Sequence, residues 1–312
     1  MDIIVDIIVP VFGIVGIGYV AARVGLFSAE ATRGLSAFVF NFAIPALLFR
    51  TMVTTKLPPV LEWSYLVAYF GGVFGVWTIG TLISRYVLRR SGAAPAIAGM
   101  TAGFSNNVLL GVPLVLTTFG EAATLPLVFI IACDSWLLLS TVTVQAELAI
   151  GKRGSATALL RNVANGLVRN PIIMALIVGI IWNVFGLPFP SFADTLTETL
   201  GRAAMPCAVF AMGAALAGFR LSGAAADAGV GVSLKLVAHP LIVWLLATYV
   251  FELEPLWRDV ATVMAALPAG VNVYLVADRY QSGVAGGVTA ILISTALSVA
   301  SIAVVLTMLG VR

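Results

Sequence analysis

The chain has 312 residues, 61% of them hydrophobic and only 10% charged. Soluble domains carry about 25% charged residues, so a water-soluble fold is excluded and the lipid bilayer is the medium of this chain. A net charge of +3, with no basic stripe, argues against nucleic acid as a partner.

A bilayer core takes about 20 apolar residues per helix. The opening MDIIVDIIVPVFGIVGIGYVAA has no basic leader and carries Asp2 and Asp6, so it predicts a first span over 3–22 and not a cleaved signal. Further runs follow at 34–52, 62–88, 95–119, 122–149, 171–187, 195–219, 230–251, 256–280 and 284–310, which makes ten. Span 2 carries Asn41 beside Pro45, an amide that either faces a substrate or joins helices. Span 4 is interrupted by GFSNNVLLGVPL, with Ser105, Asn106, Asn107 and Pro113 at mid-membrane depth. Asp134 lies near the middle of span 5, and an acid at that depth is either functional or paired to a neighbouring helix. Arg202 falls within span 7. Span 8 holds His239 before Pro240, either a proton-handling group or a packed one, and Lys235, expected to snorkel to the interface. Span 9 is interrupted by LPAGVN, with Pro268, Gly270 and Asn272.

Basic residues set the orientation. With the N-terminus outside, the inner loops hold twelve Lys and Arg and the outer side four, namely Arg50, Lys56, Arg258 and Arg312. The positive-inside rule therefore predicts both termini outside.

The two halves also resemble each other. LSAFVFNFAIPALLF (35–49) aligns on LTETLGRAAMPCAVF (196–210) at an offset of 161, and FSNNVLLGVPLVLTTFG (104–120) lies over LPAGVNVYLVADRYQSG (267–283) at 163. Five spans per copy is an odd number, so the second copy enters from the opposite side. The predicted fold is an all-α polytopic membrane protein of two inverted five-helix repeats, 1–150 and 171–312, joined by a cytoplasmic linker at 151–170.

A lone amide or proline in a membrane helix often glues helices together. Amide-plus-proline breaks at matching depths of duplicated spans have another use: freed N–H and C=O groups face a shared cavity, as in inverted-repeat transporters. Helix N-termini and neutral amide donors suit an organic anion that must later be released. The substrate-binding set is Asn106 and Asn272, with Ser105, Asn107, Pro113, Pro268 and Gly270 shaping the site. Asp134 and His239 are the candidates for handling a coupling proton or Na+. No HExxH, no GxSxG and no metal-ligand spacing occurs, and Cys133 and Cys207 are far apart, so neither an enzyme nor a bound cofactor is expected.

These residues resemble the auxin efflux carrier family, which includes bacterial malonate-type carriers and the plant PIN auxin exporters. SNNVLLGVPLVLTTFGEA is similar to that family's asparagine-then-GxP crossover, and ALPAGVNVYLVADRY to its LPxG segment; FGIVGIGYVAARVGLFS and NFAIPALLF match as well. The resemblance implies a fold of the sodium/proton-antiporter and bile-acid-symporter type, with broken crossover helices 4 and 9. It further implies a scaffold of spans 1, 2, 6 and 7, a mobile transport domain of spans 3–5 and 8–10, a homodimer formed through the scaffold, and elevator-like movement of a small organic anion. The short central loop is the bacterial pattern, which implies the cytoplasmic (inner) membrane. Malonate-like diacids, monocarboxylates and auxin-like acids all fit.

Overall fold

The computed structural model describes residues 8–55, 62–151, 168–220 and 224–311. Asp6, Lys56, Arg312 and most of the 151–170 linker, including Lys152, Arg153 and Arg161, lie outside the described residues. The described residues are helical throughout, apart from one isolated antiparallel pairing of Ser105 with Ala269. In chain order the helices are α1 (Val9–Arg23), α2 (Ala29–Thr54), α3 (Trp63–Val87), α4 (Ala94–Gly103), α5 (Asn107–Phe119), α6 (Thr124–Ala149), α7 (Pro171–Val184), α8 (Ser191–Ala217), α9 (Ala225–Val250), α10 (Pro255–Ala266), α11 (Asn272–Arg279) and α12 (Val284–Met308).

Six stretches among the described residues are long and apolar enough to cross a bilayer: α2, α3, Glu121–Ala149, α8, α9 and α12. Their outer faces carry large apolar side chains such as Phe42, Trp63, Tyr86, Phe192 and Val304, as a helix in lipid requires. The chain is an integral membrane protein.

Proline shapes three of these helices by one rule. Val39–Ala43, Asn107–Gly111 and Leu234–Ala238 are π-helical turns, and Pro45, Pro113 and Pro240 follow each at the same spacing. A proline cannot donate to the carbonyl four residues back, and its ring crowds that carbonyl. The turn before it widens, so Ile44, Val112 and His239 donate instead to Val39, Asn107 and Leu234, five residues back. Pro113 therefore widens α5 without breaking it; the break in span 4 lies earlier, at Phe104–Asn106.

Special backbone positions recur at the offsets seen in the sequence. Positive φ occurs at Gly25 and Gly186, 161 apart, and at the pairs Arg89/Glu252 and Gly120/Gly283, each 163 apart. The chain leaving α1 donates Val24 N–H to Val20 and Gly25 N–H to Ala22; the chain leaving α7 donates Phe185 to Ile181 and Gly186 to Asn183, the same bonds 161 residues on.

Two groups of helices pack together. In one, α1 lies along α8, and α2 packs on α7 and α8. Gly18 and Gly213 permit the first contact: a Cβ on Gly18 would collide with the Phe210 carbonyl, and one on Gly213 with the Val15 carbonyl. Small residues let helix backbones approach in this way. Asn183 of α7 closes the end of α2 by donating to the carbonyls of Met52, Val53 and Thr55 at 2.8, 3.0 and 2.8 Å. Arg50 of α2 pairs with Asp194 of α8 at 2.6 Å, while Arg202 stays exposed and pairs with Glu198 one turn back. In the other group α3 packs on α4 and α9, α10 on α9, α6 and α3, and α12 on α9, α10, α11 and α4. Tyr65 of α3 ties down α6 by donating to the Pro126 carbonyl at 2.9 Å.

Candidate functional site: the crossing of two interrupted helices

Span 4 parts into α4 and α5 at Phe104–Asn106, and span 9 into α10 and α11 at Leu267–Val271. At the second break Leu267 is extended, with φ −61° and ψ 152°. A residue before proline is driven out of the helical region by the proline ring, and Pro268 is the cause here. At the first break Phe104 is extended and Asn106 has φ −80° and ψ 62°. Asparagine tolerates such backbone because its side chain competes for hydrogen bonds with the helix.

The two interruptions satisfy each other. Asn106 N–H donates to the Pro268 carbonyl at 3.0 Å, and Gly270 N–H donates to the Phe104 carbonyl at 2.9 Å. Gly270 has no room for a side chain, since a Cβ there would lie 2.6 Å from the Phe104 ring and 3.0 Å from the Ser105 carbonyl. Ala269 N–H goes to Ser294 Oγ of α12 at 3.1 Å. Four helix ends thus converge: the N-termini of α5 and α11, which favour negative charge, and the C-termini of α4 and α10, which favour positive charge.

Ser105, Asn106 and Asn107 are all buried. The Asn106 amide finds only the thioether of Met212 on α8, at 3.4 Å, a weak acceptor. The Asn107 amide donates to the Tyr69 hydroxyl of α3 at 3.2 Å. Asn272, the first residue of α11, is half-buried, and its side chain has no partner among the described residues. The structure therefore brings Ser105, Asn106, Asn107, Pro268 and Gly270 to one point and sets Asn272 at the adjoining helix start. Pro113 stands two residues past its own π turn and makes no part of the backbone pairing. Asn41 is exposed and its amide donates to the Ala37 carbonyl of its own helix at 2.7 Å, not to a neighbouring helix.

A charged layer lies beside the crossing. Asp134 of α6 is 3% exposed, adjoins the Asn107 side chain, and lies within electrostatic reach of Lys235. Lys235 does not snorkel. It is completely buried in the π turn of α9, where its Nζ donates to the Ala265 carbonyl at 2.6 Å and lies 2.9 Å from His239 Nδ1. The carbonyl that α10 frees by ending and the His239 ring give the Lys235 amine its partners inside the protein. His239 is likewise fully buried, with its ring 5.9 Å from that of Tyr69. Sequence reasoning missed Lys235 and Tyr69. The only signal for Lys235 was its place one turn before His239, on the same helix face.

Residues 3–306 match the family model described as membrane transport protein. The chain is 27% identical over 299 residues to a Rhizobium meliloti protein named "Putative malonate transporter", covering 96% of this chain and 93% of that one. It is 24% identical over 291 residues to "Uncharacterized transporter YfdV" of Escherichia coli, covering 88% and 87%. It is 23% identical over 330 residues to "Auxin efflux carrier component 8" of Arabidopsis thaliana, covering 89% of each.

Proposed function

The chain belongs to this membrane transport family, the family of the auxin efflux carriers, and from that premise we propose that it is a secondary transporter of a small organic anion, bound where the two interrupted helices cross. Transport and not catalysis is the activity of the family and of the named relatives. The reading rests above all on one observation: each break supplies the backbone partner of the other, through Asn106 to Pro268 and Gly270 to Phe104.

A carboxylate entering beside this crossing meets the first turns of α5 and α11, whose free N–H groups and positive ends suit an anion. Asn106 and Asn272 are its side-chain donors. Both keep amide hydrogens without a strong protein acceptor, so binding a carboxylate costs no internal hydrogen bond. Ser105, Asn107, Pro113, Pro268 and Gly270 shape the backbone around it. Relatives named for malonate and for auxin agree with a carboxylate as the recognised group.

In this proposal the fold is ten spans in two inverted five-helix repeats, supported by the positive-φ pairs at offsets 161 and 163. The α1, α2, α7 and α8 group is the scaffold and the site of homodimer contact, and the remaining helices move against it in an elevator motion. A groove of about 850 Å³ between α1, α8 and α12, with Arg23 and Arg220 on its wall, lies between the two groups. Asp134 and His239 carry the coupling to a proton or sodium. The chain sits in a bacterial cytoplasmic membrane with both termini outside.

Uptake of labelled malonate and of labelled indole-3-acetate into proteoliposomes tests the reading, run beside a thermal-shift screen of organic acids. Asp134→Asn is expected to remove the dependence of uptake on the driving ion while substrate still raises the melting temperature. Asn106→Ala and Asn272→Ala that both retain full ligand-induced stabilisation would overturn the assignment of the site.

A further inference from the structure

Four buried polar atoms without a hydrogen-bond partner gather at the crossing and its charged layer: Ser105 Oγ, Asn107 Oδ1, Asp134 Oδ1 and His239 Nε2. Three are oxygens, the ligand type that hard cations take. The Ala265 carbonyl, at the end of α10, is a separate acceptor. In an unbroken helix it would accept from residue 269, but Ala269 N–H is turned to Ser294 Oγ, so the end of α10 presents a bare carbonyl at its negative pole. A free carbonyl at a helix C-terminus makes a place for a positive charge.

That place already has an occupant. Lys235 Nζ lies 2.6 Å from the Ala265 carbonyl and 2.9 Å from His239 Nδ1, its side chain wholly buried and Asp134 within reach across the site. No other cation competes. Facing groups come from α3 as Tyr69 and from α6 as Asp134; α4 and α12 contain no charged residue, and the Arg258–Asp259 pair sits near the opposite end of α10.

We infer that Lys235 is a tethered cation that fills the cation position between Asp134 and the C-terminus of α10, so that a free sodium ion has no place there. The ammonium neutralises the buried acid, closes the loose carbonyl, and anchors α9 to the second break. This deepens the transport reading by removing sodium from the coupling, and it rests on that reading only for this consequence. The cation position itself is tested without substrate, so its failure and the failure of anion binding at Asn106 are told apart.

The test measures thermal unfolding of the purified protein in choline chloride, with sodium, potassium or ethylammonium chloride substituted at constant ionic strength. Wild type is expected to melt at the same temperature in all four salts. Lys235→Ala is expected to lose about 5 °C or more in choline, and to recover with sodium or ethylammonium in a saturable way, as ligand linkage requires. The neutral pair Asp134→Asn/Lys235→Met is expected to regain most of the loss and to ignore the salt. If Lys235→Ala yields no folded protein, the double variant decides alone: recovery of a folded protein supports the inference. Sodium stabilisation of wild type, salt-indifference of a folded Lys235→Ala, or a double variant no better than the single would each overturn it.

Discussion

The two breaks that cross differ in how they are made. The first, FSN, is polar: its open backbone comes from asparagine and serine, its Asn106 side chain reaches Met212, and Asn107, next in the chain, reaches Tyr69. The second, LPAGV, has no polar side chain at all and is made by Pro268 and Gly270, so its loose groups are satisfied from outside, by Ser294 and by Lys235. The positions 163 residues from the charged pair sharpen the contrast. Gly72 stands in place of Lys235, and Leu297, which is 51% exposed, in place of Asp134. The offset that relates the special backbone positions therefore does not relate Asp134 or Lys235 to a second charged residue. Asp134 lies before the 151–170 linker and Lys235 after it, so each half of the chain contributes one of the two charged residues.

Substitutions at matched points can break this comparison. The largest effect is expected at the amides: Asn106→Ala and Asn272→Ala should each lower uptake, or apparent affinity in the thermal shift, by about 10- to 100-fold, the loss of a hydrogen bond to a charged group. An effect at Asn106 alone would mean that only the polar break binds substrate. Next comes Gly270→Ala, which drives a methyl into the Phe104 ring and should cost about 1–3 kcal/mol in urea or thermal unfolding. Gly103→Ala meets its nearest neighbours at 3.1 Å and should cost visibly less; equal losses would deny that the second break is the tighter one. The smallest effects are at the outside partners. Tyr69→Phe and Ser294→Ala should each cost about 1 kcal/mol, and only Tyr69→Phe should also slow uptake, because its hydroxyl receives the Asn107 amide.

Much of the crossing was legible because its causes are local. A proline directs the residue before it, and SNN at mid-membrane is costly unless the backbone turns away from lipid, so both breaks could be placed from a few letters each. The extent of the first break was less legible, since Pro113 reads as a breaker but is absorbed by a π turn that only the relaxed helix reveals. Lys235 could not be read. Its burial depends on a carbonyl thirty residues ahead that is free only because α10 stops, and a lysine near a helix end reads as reaching for water. Asn183 was invisible for the same reason: the three carbonyls it closes lie at the end of α2 and just past it, far back in the chain.

Helix α8 has two unlike sides. Toward α1 it presents Gly213, whose missing side chain lets its main chain lie against the Val15 carbonyl. Toward the crossing it presents Met205 and Met212, which touch Thr117 and Asn106 through sulfur, and just past its end Phe219 meets Tyr274 edge-on. Thioethers are pliant and keep favourable contact while a neighbour shifts. The same rod is therefore held backbone to backbone along one flank and through pliant side chains along the other.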